Sequence, residues 1–149
     1  QRFGNSISID ADAVKTAIDF TRFPVPAEPA YQDIQSYPGL VRAADLIGQL
    51  ADPAYLLKLP HLLEEMRETG TAQALGYHHP KDMLDGYLDF YRRSVYPYIQ
   101  PALGYLNETP EGQDTIRRLY NNLAQSERDE VPSVGRFRQI TIDELGRIS

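Results

Sequence analysis

The stretch Tyr37-Pro38-Gly39-Leu40-Val41-Arg42-Ala43-Ala44-Asp45-Leu46-Ile47-Gly48-Gln49-Leu50 decides the fold class. Leu40, Ala43, Ile47 and Leu50 recur at helical spacing, and Val41, Ala44 and Leu46 widen that apolar face. Pro38 suits a first helical turn, where a missing N–H costs nothing, so the spacing predicts a helix from about Pro38 to Leu50. Immediately upstream, residues 21–38 hold Pro24, Pro26, Pro29 and Pro38, a density that stops helices. The same stretch carries Phe23, Val25, Tyr31 and Ile34, which reads as an ordered crossing loop with apolar anchors. Before it, residues 8–20 predict a first helix capped by Asp10 or Ser8, with Val14, Ile18 and Ala17 as its apolar stripe.

Downstream the pattern stays helical. Asp52-Pro53 resembles a cap followed by a first-turn proline, opening a helix to about Thr69 that Pro60 interrupts, with Gly70 just past its end. A long helix is expected from Pro80 to Leu106, with Met83, Leu84, Tyr87, Leu88, Tyr91, Val95 and Tyr98 as its stripe and a kink at Pro97 or Pro101. Thr109-Pro110-Glu111 starts a helix to about Gln125, with Ile116, Leu119, Tyr120 and Leu123 inward. In the tail, Thr141 and Glu144 have capping-box spacing, so a short terminal helix is expected, docked by Phe137, Ile140, Ile142 and Leu145. The expectation is an all-α, irregular bundle of five or six helices.

Composition narrows the function classes. The 149 residues are 42% hydrophobic, enough for a core, which sets whole-chain disorder aside. A net charge of -6 without clustered Lys or Arg argues against binding a phosphate backbone or an anionic membrane. The absence of cysteine removes disulfides, thiolate metal sites and thiol nucleophiles. No apolar run reaches membrane-spanning length, and the first residues do not form a signal peptide, so a cytoplasmic location is expected. The sequence begins with Gln1 rather than Met, which leads to the expectation of a longer gene product or of trimming.

Few groups could carry chemistry. Asp45 lies among small and apolar neighbours, with Gly48 opening space three residues on and Gln49 within hydrogen-bond reach four residues on. A short rigid carboxylate there could ligate a divalent metal. The competing reading makes Arg42, Asp45, Gln49 and Asp52 the polar stripe of an ordinary amphipathic helix. His78-His79 could ligate a metal from a loop, although adjacent histidines usually diverge. His61 and Glu65 are spaced i,i+4, but no second Glu-x-x-His pair completes a carboxylate-bridged site, and Glu64, Glu65 and Glu68 read as a solvated face. Tyr87, Phe90, Tyr91, Tyr96 and Tyr98 fit a core, a docking face or an aromatic ligand pocket. Phosphate loops, dinucleotide fingerprints, nucleophile elbows and HExxH patterns do not occur.

With Asp45 singled out, the stretch from Tyr37 to Leu50 resembles the late helix of HD-superfamily metal-dependent phosphohydrolases, whose site joins an early His, an adjacent His-Asp pair and a distant final Asp. Ile18 to Pro24 resembles the segment leading to that helix. Glu68-Thr69-Gly70-Thr71, Leu75-Gly76-Tyr77, Phe90-Tyr91, Pro97-Tyr98-Ile99 and Thr109-Pro110-Glu111-Gly112 are similar to the C-terminal extension of a cyanobacterial-type branch of those proteins. The resemblance implies that residues 1–52 are the C-terminal portion of an HD-like domain and 53–149 a helical extension packed on it. It implies that Asp45 is a metal ligand and that the parent acts on a phosphate ester or nucleotide. The chain departs from that pattern: it has no adjacent His-Asp pair and no His before His61. The remaining ligands are therefore expected upstream of residue 1, and the isolated chain is expected to hold no organised metal and to be inactive. A missing N-terminal segment or a second copy is expected to cover an apolar surface, with a phosphorylated small molecule as the parent's ligand. The alternative is a non-catalytic helical interaction or scaffold domain using its Tyr-rich helix for docking.

Overall fold

Helix α2, Tyr37–Leu50, is the element against which the rest of the fold is assembled. In the computed structural model, which describes residues 8–128, α2 packs against the helix before it and against two from the far end of the chain. Ser36 accepts the Gly39 N–H at 3.3 Å to cap it, and Pro38 lies in its first turn. Gly39 cannot carry a side chain, because a Cβ there would stand 2.4 Å from the Asp33 carbonyl oxygen of the preceding loop. Ala43, Leu46, Ile47 and Leu50 enter the core, as their spacing predicts.

Helix α1, Ala11–Phe20, is capped by Asp10, whose carboxylate accepts the Asp12 and Ala13 N–H groups at 3.0 and 3.2 Å. Its inward face agrees with the expected stripe at Ala17 and departs from it at Val14 and Ile18. Ala17 and Phe20 are buried, while Val14 and Ile18 are 43% and 64% exposed. The two faces of α1 are both partly apolar, and packing against α2 selects the one bearing Phe20. The proline-rich loop then crosses the bundle. It includes a cis Phe23-Pro24 bond and a short 3₁₀ turn at Pro29–Tyr31. Phe23 meets Phe90 edge to face at 5.6 Å, and Phe20 meets Tyr31 at 5.4 Å.

Beyond α2, Asp52 accepts the Ala54 N–H at 2.9 Å and a 3₁₀ turn covers Leu56–Lys58. Helix α3, Leu59–Glu68, begins beside Pro60, where the interruption was expected. Helix α4, Thr71–Leu75, is a short turn between Gly70 and Gly76. The long helix expected from 80 to 106 is divided into α5, Pro80–Asp85; α6, Tyr87–Phe90; a π turn, Tyr91–Val95; and α7, Tyr96–Leu106. The π turn immediately precedes Pro97, which has no N–H to donate, so the regular ladder cannot run through it. Pro101 lies inside α7. Helix α8, Pro110–Glu127, opens with Thr109 accepting the Gly112 N–H at 3.0 Å. It packs against α2, α5, α6 and α7.

Among the described residues the protein is an all-helical, irregular bundle with no strand. The expected terminal helix at Thr141–Glu144 and its anchors Phe137, Ile140, Ile142 and Leu145 lie outside the described residues.

Candidate functional site

Spacing alone offers Arg42 as part of a solvent-facing polar stripe, and the structure buries it instead. Its side chain is 1% exposed. The guanidinium lies between the Phe20 ring at 5.1 Å and the Tyr98 ring at 4.6 Å. It donates to the Tyr31 carbonyl at 2.7 Å and the Asp33 carbonyl at 3.3 Å, while its Nε–H lacks a protein partner. Burial holds its pKa below the ordinary arginine value. This cation therefore fastens the proline-rich loop to α2 and α7.

With Arg42 inside, the outward face of α2 changes character. Tyr37, Val41, Ala44 and Gly48 step along it by four, three and four residues, the spacing of a helix seam. Tyr37 is 70% exposed, Val41 is half-buried, and Ala44 and Gly48 are exposed. A Cβ built on Gly48 would meet nothing within 4 Å. Asp45 flanks this seam and is exposed, although its sequence neighbours are small and apolar. Both of its carboxylate oxygens accept from Gln49 Nε2 at 3.2 Å, the i,i+4 contact expected. Helix α1 adds apolar exposure at Val14 and Ile18, and Ile9 just before its cap is 72% exposed.

The histidines do not converge. His61, His78 and His79 are all exposed. The backbone N–H groups of His78 and His79 donate to the Asp82 carboxylate at 2.9 Å each, holding its pKa below the ordinary carboxylate value. Arg67 donates to the His78 carbonyl at 2.6 Å and pairs with Glu64, so this corner joins α3 to α5 by structural contacts. Among the described residues, no three His, Asp or Glu side chains are grouped to hold a metal.

The tyrosines of the divided helix are core. Tyr87 and Tyr91 are 2% and 5% exposed, which agrees with the core reading and removes them from a docking face. Tyr87 stacks on Tyr55 at 5.3 Å, and Tyr91 meets Tyr120 edge to face at 6.3 Å. Burial pushes the Tyr55 hydroxyl up to about 12 and those of Tyr87 and Tyr91 higher still. A narrow apolar cavity lies between Tyr55, Leu59, Met66, Met83, Tyr87 and Phe90, with room for a water molecule and none for a stacked ring. The Tyr87 hydroxyl is buried without a protein partner. The aromatic pocket for a small ligand is thus reduced to a crevice.

Sequence reasoning missed two polar groups. Arg42 is one. Asn122 is the other: its side-chain amide donates to the Leu50 carbonyl at 2.7 Å and the Asp52 carbonyl at 2.9 Å, closing the C-terminal end of α2 from α8. The available signal was position, an Asn inside the Leu119–Leu123 stripe.

A family model described as Npun_R2479-like matches residues 1–129, covering α1 to α8 and therefore both the α2 seam and the arginine that anchors the loop. The chain belongs to the Npun_R2479-like family. Comparison with curated proteins and with solved structures finds no match. That family description names no reaction, so the arrangement of side chains carries the functional argument. Among the described residues, no helix is long and apolar enough to cross a membrane.

Proposed function

We propose that this chain is a helical interaction module whose docking surface is the outward face of α2. One observation carries the reading: α2 is already packed by α1, α7 and α8, yet it still presents Tyr37, Val41, Ala44 and Gly48 outward. Arg42, Asp45 and Gln49 are its only charged or amide residues, and Arg42 is buried. With Arg42 inside, Asp45 and Gln49 are the polar residues left on the outer side of α2, and the strip beside them is open to a cover. The chain's lack of cysteine makes the test clean. Single cysteines at Ala44 and, as a control, at exposed Gln100 are labelled with a maleimide in extract of the native cell and after purification. Position 44 is expected to be protected in extract and reactive when pure. Equal labelling at both positions in extract would refute the reading.

A second reading is supported by Asp45, an exposed carboxylate bonded within its own helix and set beside the open space at Gly48. In that reading the chain is the C-terminal segment of an HD-like, metal-dependent phosphohydrolase acting on a phosphate ester or nucleotide. The described residues alone do not make a metal site, so in this reading the other ligands come from outside the described residues. Adding Mn²⁺ to a longer native chain and to its Asp45→Asn variant separates the readings. The phosphohydrolase reading requires the variant to lose metal affinity at least about tenfold; equal affinity rejects it.

A further inference from the structure

We infer that the occupant of the α2 face is a basic amphipathic helix from another protein, not a second copy of this chain. The inference rests on the interaction reading and names its partner. Spacing by four, three and four residues keeps a straight seam in register with another helix. Ala44 and Gly48 leave that seam shallow, so a neighbouring helix axis can approach closely while Tyr37 and Val41 receive larger side chains.

Charge decides the chemistry. Residues 8–52, which build α1, the crossing loop and α2, hold seven Asp and Glu against Lys15, Arg22 and Arg42, a net charge of -4. That is most of the chain's -6, concentrated in less than a third of its length. Ion pairs neutralise two of the acids, Asp19 by Arg22 and Asp52 by Lys58, which leaves Asp10, Asp12, Glu28, Asp33 and Asp45 against Lys15 and Arg42. Arg42 is buried against backbone carbonyls, and Arg22 pairs with Asp19 at 3.4 Å. Asp45 stands beside the seam, where flanking charges select helical partners. Lys or Arg flanking the partner's apolar stripe satisfies this surface. A second copy does the reverse: a two-fold crossing at Ala44 brings two Asp45 carboxylates and two acidic surfaces together.

The test uses the 149-residue chain, isotopically labelled, and two designed helical peptides with the same Leu seam, one flanked by Lys and Arg and one by Glu. The basic peptide is expected to shift the amides of Val41, Ala44 and Gly48 and to bind at least about tenfold more tightly at low salt, an advantage that narrows as salt rises. Gly48→Glu, at an exposed helical position with open space, is expected to abolish those shifts without loss of fold. Asp45→Lys is expected to cut the preference for the basic peptide. Equal binding of both peptides at the seam overturns the basic partner while leaving the interaction module standing. Absence of seam shifts with either peptide also overturns the basic-helix inference, and thiol protection at position 44 then judges the module separately. Sedimentation as a dimer that Gly48→Glu disperses overturns it in favour of a second copy.

Discussion

Replacing Arg42 by Met keeps most of the side-chain volume and removes the cation and its donors. Three consequences can be weighed from the structure. The two hydrogen bonds to the Tyr31 and Asp33 carbonyls disappear, and bonds from a charged donor contribute about 1.5–3 kcal/mol each when well formed. The 3.3 Å bond to Asp33 counts at the low end. The stacked cation between Phe20 and Tyr98 is lost, at about 1–2 kcal/mol. Against these, Met carries no desolvation penalty, which returns about 1–3 kcal/mol for a buried ion without a carboxylate bonded to it. The balance is a destabilisation of about 1–5 kcal/mol, centred near 3, which at the centre is a Tm decrease of roughly 6–12 °C for a chain of this size. Arg42→Lys retains charge but loses the planar fork that reaches two carbonyls while stacking on two rings, so it should be no more stable than the Met variant. Urea unfolding of the three proteins measures the order, and hydrogen exchange at residues 29–36 localises it. If Arg42→Lys matches the parent, or if Arg42→Met leaves both stability and loop exchange unchanged, then Arg42 does not fasten the loop.

Asn122→Leu should cost about 2–3 kcal/mol in denaturant unfolding, because it leaves the Leu50 and Asp52 carbonyls without the buried amide that satisfies them; an unchanged midpoint would contradict this. Gly39→Ala should destabilise by more than 1 kcal/mol even though Ala favours helices by about that much, since its Cβ would press on the Asp33 carbonyl; thermal melting checks the sign. The depressed Asp82 pKa makes its contribution to stability present above the ordinary carboxylate value of 3.8 and lost as pH falls through the lower folded value. Asp82→Asn should therefore lower stability at pH 6 and reduce its fall on acidification; parallel pH–stability curves would show that the two N–H bonds carry no charge-dependent stability.

The helical class was legible because apolar spacing and caps agree. Asp10 and Thr109 cap the helices that follow them, as their positions predict, and Pro38 lies in the first turn of α2. Proline positions marked where Leu59 begins α3 and where the long helix fails before Pro97. The inward face of α1 was not legible, because Val14–Ile18 and Ala17–Phe20 are both apolar at helical spacing and only packing on α2 chooses between them. Arg42 was misread for a related reason. Periodicity assigns a charge to water, while its actual partners are two carbonyls 9 and 11 residues upstream and a ring 56 residues downstream. No local pattern encodes those contacts. Asp45 and Gln49 were placed correctly on one turn because an i,i+4 contact is local.

The burial of Arg42 also bears on why the proposed docking face lies on α2. Had that arginine faced water beside Asp45 and Gln49, α2 would show an ordinary polar side and need no further cover. Turning it inward ties the crossing loop down over one flank of the helix and leaves the opposite flank to Tyr37, Val41, Ala44 and Gly48. Asp45 is then the one acid of α2 and flanks that strip, with Gln49 steadying its carboxylate and an open space alongside at Gly48. A partner's lysine or arginine satisfies that carboxylate without added ligands, whereas a metal requires several more that the described residues do not supply. The response of Asp45 variants to a basic helix and to Mn²⁺ therefore discriminates docking from metal chemistry at a single side chain.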